Sequence, residues 1–404
     1  MTFFSMTLAC TRCHERKIKC TERTKEGCLA CRKHQEVCTE RQRAPRSTPL
    51  RKQLLYRPSE SWIHHALTQY FVHERSHSYV HEGMFFRALY KNKVKPGLLY
   101  ALLACAVDYE TDLRHDSKQA CKRVMLYRAR GALTLHEPSM DTIHALVLMM
   151  PVEFMLDRTL DAQGPGYMQL IVATHMCLAL GVQQMDREIT IKNSIERESM
   201  RRVFWACYIM DRINGGHGVP HVIHDDDCHI QFPSHDRHWF SETNLQGGGP
   251  MFDPVKLLRQ GWTFEDGEQT LCSIMVHIQC LNGKLSDFIY RQAKLTPVQQ
   301  RFTFHTILQG LLLWWDTLHL TFTCTDFNEY CSLAKSPLPL QSVKNAFALI
   351  QQMQASYYAA VIRLYLHGQT LGIHDDPTER MAIDYADKIY QLTTLSDPVD
   401  YLPG

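Results

Sequence analysis

The 404-residue chain is 45% hydrophobic and 21% charged, a composition suited to a soluble globular protein and long enough for a small module plus one large domain. Its formal net charge of +2 conceals a split: residues 1–58 carry 14 Lys/Arg against 5 acidic residues, a surplus of +9, which leaves −7 for the rest. A basic head on an acidic body is the layout of a chain that docks a polyanion with one end. Membrane spanning is excluded, because the most apolar stretch, 144–156, is shorter than a bilayer span and contains Pro151 and Glu153. Residues 1–8 lack the basic start, long apolar run and cleavage site of a secretory leader. They read as a flexible N-terminus, and the chain as cytoplasmic or nuclear, where thiols stay reduced or hold metal.

Six of the 15 cysteines fall between residues 10 and 38, as Cys10-x2-Cys13-x6-Cys20-x7-Cys28-x2-Cys31-x6-Cys38. The pattern C-x2-C-x6-C occurs twice, an internal duplication of a metal-binding unit. So short a segment, with few large apolar side chains, cannot bury a self-sufficient core, and metal is the expected staple. Six thiolates cannot build two separate four-sulfur sites, but two zinc ions that share two sulfurs satisfy the count. The formal charge of that cluster is −2, which Arg12, Arg16, Lys17, Lys19, Arg32 and Lys33 offset while leaving a basic surface. The other nine cysteines lack metal spacing and read as small buried hydrophobes.

The head resembles the fungal zinc binuclear cluster family of transcription factors over residues 9–38. The run Cys13-His14-Glu15-Arg16-Lys17-Ile18-Lys19-Cys20 is close to that family's basic R-x-[RK]-K-x-K-C string. The resemblance implies two zinc ions on Cys10, Cys13, Cys20, Cys28, Cys31 and Cys38, with Cys10 and Cys28 bridging. It implies two short helix–strand halves related by pseudo-twofold symmetry, and double-stranded DNA as partner with CGG half-sites. Lys17 would read guanine edges, while Arg16, Lys19, Arg32 and Lys33 would contact phosphates. Two departures stand out: His14 replaces the usual Arg, which makes one phosphate contact weaker or pH-dependent. Gly27 replaces a common Pro before the fourth cysteine, which loosens the linker between the halves. A zinc module that binds protein rather than DNA is the alternative reading.

Residues 40–58 read as a basic linker. Pro45, Pro49 and Pro58, with Arg41, Arg43, Arg46, Arg51, Lys52 and Arg57, describe an extended tether that tracks phosphates and serves nuclear import. Leu50, Leu54 and Leu55 do not sustain heptads, so no zipper follows the cluster. Binding is then monomeric, or dimeric through the large domain.

Residues 59–404 read as one all-α domain. Helical spacing of apolar residues runs through 61–74 (Trp62, Ala66, Leu67, Tyr70, Phe71), and 97–107 is apolar all round and so buried. Another helix covers 161–185 and ends at Gly181. Ser194 is expected to cap the next, with Glu196 and Glu198 in its first turn and Met200, Val203, Phe204, Cys207, Ile209 and Met210 buried. A long helix follows over 340–367. The last begins at Asp376, with Pro377 at its first position and Glu379 completing a capping box.

The string Arg201-Arg202-Val203-Phe204-Trp205-Ala206-Cys207-Tyr208-Ile209-Met210-Asp211-Arg212 resembles the regulatory domain of the same fungal family. So do Gly218-Val219-Pro220, the acidic Asp225-Asp226-Asp227 and Phe232-Pro233, and the likeness covers about 60–235. It implies a regulator of RNA polymerase II transcription in the nucleus, with the transcription machinery and a small-molecule effector as partners. No nucleotide-binding, hydrolase or zinc-protease motif occurs, so no enzyme is expected. His217, His221, His224, Asp225, Asp227 and His229 are the one cluster that could suit a metal, His221 and His224 with an Asp, but the Gly/Pro context favours a solvated loop. Asp211 and Arg212 are expected to form a buried ion pair. The competing function is an all-α ligand receptor or enzyme whose zinc module mediates assembly.

Overall fold

The computed structural model describes residues 10, 13, 16–17, 19–21, 28–35, 38, 58–74, 79–157, 164–187, 193–215, 220–241, 248–260, 270–291, 294–335, 340–373 and 376–395. The chain divides into two compact units, Met1–Arg57 and Pro58–Gly404. In the first, Cys13 is helical and a five-residue helix, α1 (Leu29–Lys33), starts directly after Cys28. Its core is sulfur: Cys10, Cys13, Cys28 and Cys31 are fully buried, with Cys20 and Cys38 packed against them. No strand occurs among the described residues of either unit, apart from an isolated bridge between Gln231 and Met251. The strand halves expected of the cluster therefore fall outside what the described residues contain.

Among its described residues, the second unit is built mainly from helices. Its first layer is α2 (Glu60–His73), α3 (Glu82–Tyr90), α4 (Pro96–Ala106), α5 (His115–Ala132) and α6 (Met140–Asp157). Local chemistry sets several starts. Ser59 accepts the Trp62 N–H at the head of α2, His81 accepts the Met84 N–H at α3, and Pro96 opens α4. The helix over 97–107 is buried as expected, through Leu98, Ala101, Leu102, Leu103, Ala104 and Ala106. Pro151 lies inside α6 on its exposed side, so the apolar 144–156 stretch is part of an 18-residue core helix. Among the described residues, no helix is long and apolar enough to cross a membrane.

α7 (Pro165–Ala179) ends where Gly181 turns left-handed at φ 70, as its sequence position predicted. α8 (Ser194–Gly215) then runs through the middle of the unit. Its cap differs from the expectation: Asn193, not Ser194, accepts the N–H groups of Ile195 and Glu196. Two short helices, α9 (Asp236–Ser241) and α10 (Pro254–Gln260), precede α11 (Leu271–Arg291). α12 (Pro297–Asp316) opens with a full capping box between Thr296 and Gln299 and with Pro297 in its first turn. α13 (Leu320–Thr323), α14 (Phe327–Ala334), α15 (Leu340–Thr370) and α16 (Asp376–Leu395) complete the fold.

Three hydrophobic clusters line up along this chain order. The first is built on Leu67, Phe71, Leu102 and Met149, the second on Phe204, Trp205, Tyr208, Phe232 and Phe252, and the third on Leu311, Trp314, Met353, Tyr357 and Leu364. α8 and α11 pass between the second and third. In the second, Trp205 stacks on Phe232 with centroids 5.4 Å apart, and its indole N–H donates to the Gln231 carbonyl at 2.8 Å. Five of the nine scattered cysteines are buried and four half-buried, all as free thiols.

Candidate metal centre

Two sets of four sulfurs converge in the head. Cys10, Cys13, Cys20 and Cys28 form one, and Cys10, Cys28, Cys31 and Cys38 the other, with the ligand atoms of each set within 4.8 Å of one another. Cys10 and Cys28 belong to both. Their sulfurs are 3.9 Å apart, and the Cys10–Cys31 and Cys13–Cys28 sulfurs are each 3.6 Å apart. Two thiolates on one tetrahedral zinc, each about 2.3 Å from the metal, stand about 3.8 Å apart. The spacing fits that metal without adjustment.

Electrostatics point the same way. The Cys31 backbone N–H stabilises the Cys28 thiolate and, against the cost of burial, holds its thiol down at about 6. Burial, then the neighbouring Cys10 and Cys28 sulfurs, pushes Cys13 well above the usual thiol range. Six crowded thiols cannot all ionise together unless cations arrive with the ionisation.

The duplication is visible in the backbone as well. Each half repeats after 18 positions, Cys10 onto Cys28, Cys13 onto Cys31 and Cys20 onto Cys38. Lys17 and Gln35 are equivalent under that shift, and both adopt left-handed backbone, at φ 52 and φ 53. Each therefore occupies a sharp turn before its third cysteine, a conformation that a side-chain-bearing residue adopts at a cost. The Leu29 N–H donates to the Thr21 carbonyl at 3.1 Å, which ties the start of α1 to the residue after Cys20.

The candidate DNA-facing residues separate by position. Arg16, Lys17, Lys19, Arg32 and Lys33 are all exposed. Arg32 and Lys33 close the last turn of α1, where positive charge suits the helix dipole. His14, Arg41 and Arg43 lie outside the described residues. The two halves differ in charge at matched places: Arg16-Lys17 in the first corresponds to His34-Gln35 in the second.

Among the described residues, the His/Asp cluster of the helical unit does not converge into a metal-binding group, and neither is it merely a solvated loop. His217 falls outside the described residues. Among the described residues, the groups suited to a metal are the two cysteine sets. His224, Asp227 and His229 are exposed, whereas Asp225 is buried and paired. Arg212 donates to Asp225 at 2.6 Å, to Asp211 at 2.9 Å and to the Ile223 carbonyl at 2.8 Å. Lys284 pairs with Asp225 at 2.8 Å and the Tyr208 hydroxyl donates to it at 2.7 Å. Burial alone would favour the neutral acid, but the Arg212 and Lys284 cations hold Asp225 down at about 2. Asp211 in turn accepts the Val222 and Ile223 N–H groups. The expected Asp211–Arg212 pair thus exists and clamps the 220–230 loop onto α8 and α11.

A second buried network on α8 went unread in the sequence. Glu198, expected only as a first-turn carboxylate that suits the helix dipole, is fully buried between Arg201 at 2.6 Å and Arg202 at 3.0 Å. Arg201 also grips Asp186 with two bonds, at 2.9 and 2.6 Å, and Arg202 reaches Asp236 at 2.8 Å and the Ser234 carbonyl at 2.9 Å. The i, i+3 and i, i+4 spacing of Glu198 to Arg201 and Arg202 is the sequence signature that could have found it. Ile209 and Met210, expected to be buried, are only half-buried.

Comparison with known proteins agrees with this geometry. Residues 8–47 match the Fungal Zn(2)-Cys(6) binuclear cluster domain, and residues 63–250 match the Fungal specific transcription factor domain. An uncharacterized transcriptional regulatory protein of Schizosaccharomyces pombe is 27% identical over 197 residues, covering 44% of this chain and 19% of that protein. A second from the same organism is 22% identical over 173 residues, covering 41% of this chain and 20% of that protein. The chain thus spans about a fifth of the length of these relatives. No solved structure matches it significantly. The six-cysteine domain holds two zinc ions, and the chain belongs to the fungal Zn(2)-Cys(6) transcription factors.

Proposed function

We propose that the chain is a sequence-specific DNA-binding regulator of RNA polymerase II transcription that acts in the nucleus. All six cysteines ligate zinc in this reading, with Cys10 and Cys28 bridging. Bound zinc supplies the cross-links and cancels most of the thiolate charge. The chain's own side chains do the recognition. Lys17, exposed on its left-handed turn, donates to guanine N7 and O6 in CGG triplets. Arg16, Lys19, Arg32 and Lys33, with His14, Arg41 and Arg43, set the register on phosphates. The helical unit 59–404 receives a small-molecule effector, contacts the transcription machinery and carries any dimer contact.

One observation carries the reading: two four-sulfur sets share Cys10 and Cys28, and the first half alone presents two permanent cations at its turn. A protein-docking zinc module has no need of that asymmetry. The test measures binding of the full zinc-loaded chain to CGG-containing and scrambled duplexes across a salt series. Lys17→Ala is expected to cut the preference for CGG about tenfold, while Arg43→Ala weakens both duplexes alike and flattens the salt slope. Equal affinity of the unaltered protein for both duplexes would overturn it.

A further inference from the structure

We infer that a cleft in the helical unit binds a small, neutral, largely apolar molecule carrying one hydrogen-bond acceptor. This deepens the effector reading of that unit and rests on it. The cleft encloses about 150 Å3 between α8, α11 and α15. Ala206, Ile209 and Met210 of α8, Met275 of α11 and Leu349 of α15 supply its apolar walls. Arg202 (4% exposed) and the exposed Gln352 add polar groups to its lining. A space of about this volume accepts a ligand of benzene size. The two thioethers let the walls adapt to more than one shape.

Charge selects the class. Arg202 gives one N–H each to Glu198, Asp236 and the Ser234 carbonyl, three of the five donors a guanidinium carries. Arg201 and Arg202 together face three carboxylates, Glu198, Asp186 and Asp236. Two cations against three anions leave no surplus positive charge to receive an acid, and an anion buried here would be uncompensated. A carbonyl or hydroxyl oxygen has no such penalty and meets the guanidinium or the Gln352 amide. Covalent capture is excluded as well: burial pushes the Cys272 thiol in the wall up to about 12, so it is not a nucleophile at neutral pH. A bound molecule bridges three helices drawn from residues 194–370, so occupancy stabilises the unit as a whole.

The experiment uses the full zinc-loaded chain without DNA, and reads its melting temperature and calorimetric binding with cyclohexanone, benzyl alcohol and benzoate at millimolar concentration. The two neutral probes are expected to bind and raise the melting temperature by about 2 °C, with benzoate giving no shift. Ala206→Met fills the cleft and should abolish the shift. Should that variant not fold, Ile213→Phe at the same wall reads the same outcome. The inference is overturned by absence of a shift with both neutral probes, by an undiminished shift in the filled variant, or by benzoate acting equally. Because DNA is absent, failure here and failure of the CGG preference are separate results.

Discussion

The cysteine head and the α8 network both hold buried charge, but they neutralise it from opposite sources. In the head, sulfur is the core, and α1 is five residues long. Its thiolates need cations brought from solution. Along α8, the carboxylates of Glu198, Asp186, Asp211, Asp225 and Asp236 are met by Arg201, Arg202, Arg212 and Lys284 of the same chain. Order in the first region is conditional on metal, and order in the second is built into the fold. The proposed function would use that division: a DNA-reading end loaded by zinc, and a helical unit that keeps its own scaffold for control.

Chelation tests the contrast most severely. Removing zinc from the full chain is expected to abolish CGG binding and to leave the cooperative melting of the helical unit in place. Parallel loss of both transitions would merge the two regions into one. Glu198→Ala should do the reverse. It removes the one carboxylate shared by two buried guanidinium groups, which keep Asp186 and Asp236, so the helical unit is expected to lose about 3 kcal/mol in urea unfolding, with zinc content unchanged. Gly283→Ala is smaller and more diagnostic. A methyl group there would lie 2.7 Å from Arg212 Cδ and Nε, and Arg212 is pinned by Asp211, Asp225 and Ile223. Gly→Ala inside a helix normally stabilises by about 1 kcal/mol. At Gly283 the sign should reverse, to a loss of about 2 kcal/mol.

These regions also differ in how much of them the amino-acid order disclosed. Metal geometry is local, so spacing suffices: a repeat of 18 positions places six sulfurs, and Lys17 and Gln35 turn left-handed in step with it. Helices with an apolar face were legible, as in α2 and α15, and so was α4, apolar all round. Thr296-Pro297-Val298-Gln299 carries its whole capping box in four residues and could have been read. Tertiary partners could not. A first-turn Glu is ordinarily solvated, and only Asp186, Ser234 and Asp236, brought in from other segments, make Glu198 an interior group. Likewise the Gly/Pro-flanked loop after α8 looks solvated until Asp211 and Arg212 fold it down. The cleft draws on α8, α11 and α15, so no single stretch announces it.

Acid provides the mildest probe, because both regions weaken as pH falls but for different reasons. The head loses metal as its thiolates take up protons. In the helical unit, His277 is fully buried, with Nε2 facing the Leu257 carbonyl at 3.3 Å and the ring edge-on to Trp314. Burial pushes it from 6.5 down to about 3. Between those values the unfolded chain binds the proton and the folded chain does not, so stability is full above pH 6.5 and falls toward pH 3. Asp225 acts lower: its contribution is present above 3.8 and is lost as pH falls to about 2. His277→Gln removes the first of these windows, whatever its effect at neutral pH. Urea unfolding from pH 7 to pH 4 should then show a shallower slope, reduced by up to about 1.4 kcal/mol per pH unit. His144 and His221, which burial also lowers, retain the rest of the slope. An unchanged slope would place the acid sensitivity of the helical unit elsewhere. It would also remove the neutral buried histidine from the list of devices by which this region holds polar groups without metal.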